Sequence, residues 1–152
     1  MTNEANILGS RTDETLEQHR QVHFYLDQLE VALDAMKEVA SVEPMRRLAA
    51  QIEGLKERFA SHHKAEENEG LFQAILEVLP QRRVEISRLI HEHAKMIEVL
   101  EMGRIHAQNG RPEDAAELCA DLYTFLAQFR DHERREELLL EEAIRRESET
   151  IA

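Results

Sequence analysis

The chain has 152 residues and a formal net charge of -12 at pH 7. That length suits about one domain with a real core. The acid excess excludes a broad phosphate-binding surface, so neither nucleic acid nor an anionic membrane is an expected partner. Hydrophobic residues make up 42% and there is no Trp; the supply of Leu, Ala, Glu, Arg and Met, with few Gly and Pro, points to an ordered all-α chain.

Residues 1–11 are polar and unpatterned and read as a flexible leader. Ser10 or Thr12 is placed to cap a first helix, in which Leu16, Val22, Leu26, Leu29, Leu33 and Met36 recur at helical spacing to about residue 40. The stretch from Ser41 to Pro44 breaks it, and Pro44 fits the first turn of a second helix. Met45, Leu48, Ile52, Leu55 and Phe59 line that helix, which is expected to end near Pro80. A third helix carries Ile86, Leu89, Ile90, Met96, Ile97 and Leu100 and stops at Asn109-Gly110. Pro112 opens a fourth, with Leu118, Leu122, Phe125, Leu126, Phe129 and Leu140. Long helices joined by short connections predict an antiparallel up-down-up-down four-helix bundle over residues 12–152.

The only cysteine, Cys119, lies among apolar helix residues and reads as core. One thiol forms no intrachain bridge, which suits a reducing compartment. No basic segment followed by an apolar run opens the sequence, and no stretch approaches the ~20 apolar residues of a membrane span. These features predict a cytoplasmic protein.

The chain contains a repeat. The second helix reads Phe59-x-x-His62-x-x-x-Glu66-Glu67 and the fourth reads Phe129-x-x-His132-x-x-x-Glu136-Glu137. Gln18-His19 and Glu92-His93 match more loosely on the first and third helices. Residues four apart share a helix face. At ~100° per residue, His93 falls on the apolar stripe of its helix while His91 lies roughly 160° away and is expected in solvent. His19 belongs to the buried row of the first helix and His23 to its boundary. Glu66 and Glu136 follow Phe59 and Phe129 by two turns, and His132 sits on the stripe's edge.

Six polar groups thus point inward: His19, His62, Glu66, His93, His132 and Glu136. Each costs ~1–3 kcal/mol when buried without a partner. Cations coordinated by the carboxylates and neutral imidazoles remove that cost. The competing reading is a metal-free scaffold in which these groups hydrogen-bond one another. Imidazole and carboxylate without thiolate suit iron, manganese or zinc. Six ligands exceed the four of a single zinc, whereas two irons bridged by both carboxylates and each held by two His use all six. Open coordination positions would then take a small exogenous ligand.

The stripe of the second helix leaves one choice open. Phe59 and the match to the fourth helix select His62 and Glu66, but Leu71, Ala74, Ile75 and Val78 follow a stripe rotated by roughly 110°, which suits His63 and Glu67. A π-bulge or a break near Gly70 reconciles the two.

Taken together, Glu17-Gln18-His19-Arg20, His62-His63-Lys64-Ala65-Glu66-Glu67, Glu92-His93 and His132-Glu133-Arg134-Arg135-Glu136-Glu137 resemble the hemerythrin-like family, or HHE cation-binding domains, over about residues 13–147. The resemblance implies a non-haem di-iron site bridged by the two carboxylates and an oxo or hydroxo group. Oxygen-carrying members have a fifth His one turn before the ligand of the third helix; Leu89 stands there, and His23 is the remaining candidate for a fifth imidazole. Those members also place an Asp five residues after the fourth-helix His, where this chain has Glu137. The expected function is binding or sensing of dioxygen, nitric oxide or peroxide at an open iron position. The alternative is a di-iron redox enzyme of the peroxidase, oxidase or nitrosative-stress iron–sulfur repair type. No catalytic residue beyond the metal ligands is legible; Tyr25 and Tyr123 read as packing.

Overall fold

The computed structural model describes residues 3–38, 42–68 and 70–151. Its α-helices are α1 (Asn3–Glu38), α2 (Val42–Asn68), α3 (Leu71–Val78), α4 (Arg83–Asn109) and α5 (Ala115–Ile151). Single 3-10 turns at Pro80–Arg82 and Pro112–Asp114 lead into α4 and α5. There is no strand among the described residues, and no helix there is long and apolar enough to cross a membrane.

The helix starts follow local chemistry in part. Prolines begin both 3-10 turns, as their fixed φ and missing N–H favour. Gly110 ends α4 as its C-cap. The first helix starts at Asn3, ahead of the predicted caps. Thr12 is therefore interior; its hydroxyl donates to the Leu8 carbonyl at 2.8 Å, a bond back along the helix and not a cap. Ser41 and the side chain of Ser10 lie outside the described residues.

The predicted second helix is two helices. Gly70 takes φ 98°, a left-handed conformation open to glycine at little cost. The axis breaks there, so α3 restarts in a new register and buries Leu71, Phe72 and Ile75. The rotated stripe thus belongs to a separate element, which removes the conflict with the face carrying His62 and Glu66.

The long helices α1, α2, α4 and α5 pack in a ring, each against two neighbours: α1 on α2, α2 on α4, α4 on α5 and α5 on α1. Partner numbers run in opposite directions along each pair. Gln18 meets His62 while Tyr25 meets Arg58; His63 meets His93 while Lys56 meets Glu101; Arg82 meets Glu142 while Glu92 meets Arg135; His19 meets Glu137 while Glu30 meets Arg130.

Two apolar clusters fill the interior. The larger runs from Val22, Leu26 and Leu29 through Leu48, Ile52 and Phe59 to Leu122 and Phe129. Its end is an aromatic floor, with Phe59 and Phe129 stacked at 4.2 Å between centroids. The smaller comprises Leu8, Leu71, Phe72, Ile75, Leu79, Ile86, Leu89, Leu139, Leu140 and Ala143. Leu16, placed on the stripe by spacing, is instead 39% exposed. Cys119 is buried in the larger cluster, as its neighbours predict. Between the clusters, every long helix contributes polar side chains: residue 19 on α1, 62 and 66 on α2, 93 on α4, 132 and 136 on α5. The polar layer is therefore closed above and below by hydrocarbon.

Candidate metal centre

All six predicted residues are buried: His19 3%, His62 3%, Glu66 0%, His93 2%, His132 2% and Glu136 2% exposed. Glu136 stands in their midst. One of its oxygens lies 3.3 Å from His19 Nε2 and 3.8 Å from His62 Nε2. The other lies 2.9 Å from His132 Nε2 and 3.8 Å from His93 Nε2. Glu66 faces it, with Oε1 3.3 Å from His62 Nε2 and 3.4 Å from His93 Nε2. The four Nε2 atoms thus turn toward two carboxylates.

The opposite ring nitrogens are all engaged outside the cluster. Nδ1 lies 3.1 Å from Glu137 in His19, 2.7 Å from Gln18 in His62, 2.9 Å from Glu67 in His93 and 2.7 Å from Glu92 in His132. An oxygen that accepts from Nδ1–H leaves the Nε2 lone pair of His62, His93 and His132 for the interior, while His19 has a carboxylate at each nitrogen, Glu137 at Nδ1 and Glu136 at Nε2. Such outer partners are how proteins orient imidazole ligands and raise their basicity. Arg135 in turn grips Glu92 with both terminal nitrogens, at 3.0 and 2.7 Å.

Sequence reasoning gave none of these outer partners a place behind an imidazole and considered Glu67 and Glu137 only at ligand positions, although the repeat held the signal. Gln18 and Glu92 each precede a paired His by one residue, and Glu67 and Glu137 occupy matching positions. It kept the buried His63 only as an alternative ligand and left the buried Glu133 without a role. His63, 5% exposed, stacks face to face on His93 at 3.7 Å with 1° between planes. Glu133, 3% exposed, touches His23 Nε2. His23 is half-exposed and reaches Glu133 rather than the centre, which removes it as a fifth inward imidazole. Glu67 lies on the outer side, holding His93, so the inward pair of α2 is His62 and Glu66. His91 is exposed, as its angle predicts.

Burial shapes the protonation of the layer. It pushes His63 down to about 3, with the neighbouring His62 adding to the effect, and it lowers His93 and His132. Burial disfavours the charged forms of His19 and Glu136 as well, but hydrogen bonding and charge attraction together outweigh it, from Glu136 and Glu133 on His19 and from His19 and His62 on Glu136, raising His19 and lowering Glu136. A bound cation would compete with protons for these atoms.

A pH prediction follows from the signs. The folded-state value of His63 lies below the ordinary 6.5, so the unfolded chain protonates first. Stability present above pH 6.5 declines as pH falls toward about 3. His93 and His132 act in the same sense; His19 opposes them. Metal-free protein should therefore melt at a lower temperature at pH 5 than at pH 7, and His63→Leu should flatten the difference, as read from thermal melts.

The donor set fits metal ions. Both oxygens of Glu66, and Nε2 of His93 and of His132, are buried without a hydrogen-bond partner among the described residues. Ligand atoms within 4.8 Å of one another form three groups among the described residues: His19, His62, Glu66 and Glu136; His93, His132 and Glu136, which shares Glu136 with the first; and His19, Glu133 and Glu137, farther out along α5. Imidazole nitrogens and carboxylate oxygens suit iron, manganese and zinc. Helical rods enclosing a buried imidazole–carboxylate layer define a helical cation-binding domain. The family model of the hemerythrin HHE cation-binding domain matches residues 10–144, and the chain belongs to that family. No curated protein and no solved structure matches the chain.

Proposed function

We propose that the protein holds a non-haem di-iron centre and binds or senses dioxygen, nitric oxide or peroxide at an open iron position. One iron would be held by His19 and His62 and the other by His93 and His132, with Glu66 and Glu136 spanning both. The observation that carries this reading is the orientation of four buried imidazoles, each with Nδ1 engaged outside and Nε2 turned to the same carboxylates. The opposed numbering of partners supports an antiparallel up-down-up-down four-helix bundle as the frame, with residues 12–152 as its single domain. The one cysteine, buried, is in keeping with a cytoplasmic setting.

When bound, the irons supply redox-active Lewis acids that take up the exogenous ligand. The chain's own residues do the rest. Glu92, Glu67, Glu137 and Gln18 hold the imidazoles in one tautomer. Leu89, 1% exposed, brings hydrocarbon and no donor to the side of α4 one turn before His93, which keeps a coordination position free. Phe59, Phe72 and Phe129 pack on the rings of His63, His93 and His132 and keep bulk water away.

Iron-loaded protein should contain two irons per chain and develop a visible absorption band on exposure to air that shifts on adding azide. A colourless protein that retains no iron overturns the reading.

A further inference from the structure

The two halves of the chain build two halves of the centre, and they are not alike. His62-His63 on α2 corresponds to His132-Glu133 on α5, and His19 and His23 on α1 correspond to His93 and Ile97 on α4. On one side, the neutral ring of His63 stacks on His93. On the other, the carboxylate of Glu133 lies beside His19, with Oε1 3.8 Å from Nδ1. That carboxylate is buried, and among the described residues neither oxygen makes a well-formed hydrogen bond; the half-exposed His23 touches it and Glu137 lies near it.

Charge around the imidazoles differs accordingly. His19 Nδ1 faces two carboxylates, Glu137 at 3.1 Å and Glu133 at 3.8 Å, while His93 Nδ1 faces one, Glu67 at 2.9 Å. His62 has a neutral partner, Gln18, and His132 an anionic one, Glu92, whose charge Arg135 offsets through two contacts. Negative charge behind an imidazole strengthens its other nitrogen as a donor.

Resting on the di-metal reading above, we propose that Glu133 is an anionic positioning residue for His19 that makes the two metal positions unequal, so that the position served by His19 and His62 takes a divalent cation first and more tightly. Glu133 acts through His19 and touches neither the cations nor the exogenous ligand.

Calorimetric titration of metal-free protein with cobalt(II) tests this, because imidazole and carboxylate accept that ion. The unmodified chain should bind two cobalt ions in two resolved steps. Glu133→Gln should weaken the tighter step by about 10–100-fold, the usual cost of losing an outer partner, and leave the weaker step and the total of two unchanged. Glu133→Asp, which keeps the charge, should retain most of the tighter step. Metal-free Glu133→Gln should melt close to the unmodified chain, since the amide keeps the shape and the neighbours His19 and His23 while removing a buried charge; a general loss of structure would lower it. If the Gln variant does not fold, Glu133→His, which copies the residue at the matching position of the other half, should draw the two steps together. Two equal steps in the unmodified chain, or equal weakening of both steps in Glu133→Gln, overturn the proposal and leave the di-metal centre standing. Failure of the unmodified chain to take up two cobalt ions overturns the centre itself.

Discussion

Glu136→Ala is expected to abolish metal loading at both positions. In the proposed centre this carboxylate is shared: its two oxygens reach His19 and His62 on one side and His132 and His93 on the other, at 2.9 to 3.8 Å. Its removal takes one ligand from each ion, and Glu136 belongs both to the donor group around His19 and His62 and to the one around His93 and His132. Losing a mere outer partner costs up to about 100-fold in affinity, so losing a shared ligand should exceed that for both ions. Metal analysis of the purified variant should find only traces, and the visible band should vanish. His91→Ala is the control, because that imidazole is exposed on the opposite face of α4. A Glu136→Ala protein that keeps two ions per chain would remove Glu136 from the ligand set.

Much of this arrangement was written in periodicity. Apolar spacing placed Leu26, Leu29 and Leu33 of α1 and Leu48, Ile52 and Phe59 of α2 in the interior, and all six are buried. The same angular reasoning turned His93 inward and His91 outward. It failed where a backbone event shifted the phase. Residue spacing counts turns along one axis, so the break at Gly70 appeared as a contradiction between two stripes, with nothing in the count to choose break over bulge. It also failed at Leu16, which lies about 100° from Thr15 around the helix and so falls off the row of Leu8, Thr12, Thr15, His19 and Val22 that the bundle buries.

The site was legible to the depth of one shell. A His and a Glu four apart announce themselves as a pair, because one helix carries both. The partners of Nδ1 come from different helices, as with Gln18 on His62 and Glu137 on His19, and no single-helix count brings them together. Glu133 is the extreme case. Its neighbours in sequence are His132 and Arg134, and its burial is decided by His19 and His23, more than a hundred residues away.

Chelation should cost the protein a large share of its thermal stability. The polar layer cannot satisfy itself: Glu66 is 0% exposed with neither oxygen hydrogen-bonded, and Nε2 of His63, His93 and His132 has no hydrogen-bond partner. Each such group costs ~1–3 kcal/mol when left buried and unpaired, and the hydrocarbon clusters on both sides deny it water. A cation that binds only the folded chain adds about 4 kcal/mol when present at about a thousand times its dissociation constant. For a chain of this size each kcal/mol moves the melting temperature by about 2–4 °C. Removing the ions with a chelator should therefore lower the melting temperature by about 10 °C or more, and adding iron(II) without air should restore it. The far-UV signal should stay helical in both states at low temperature, since the apolar clusters persist without metal. An unchanged melting temperature in protein shown by analysis to have lost its metal would mean that the imidazoles and carboxylates satisfy one another, and the cation would no longer be what makes so many buried polar groups tolerable between two layers of hydrocarbon.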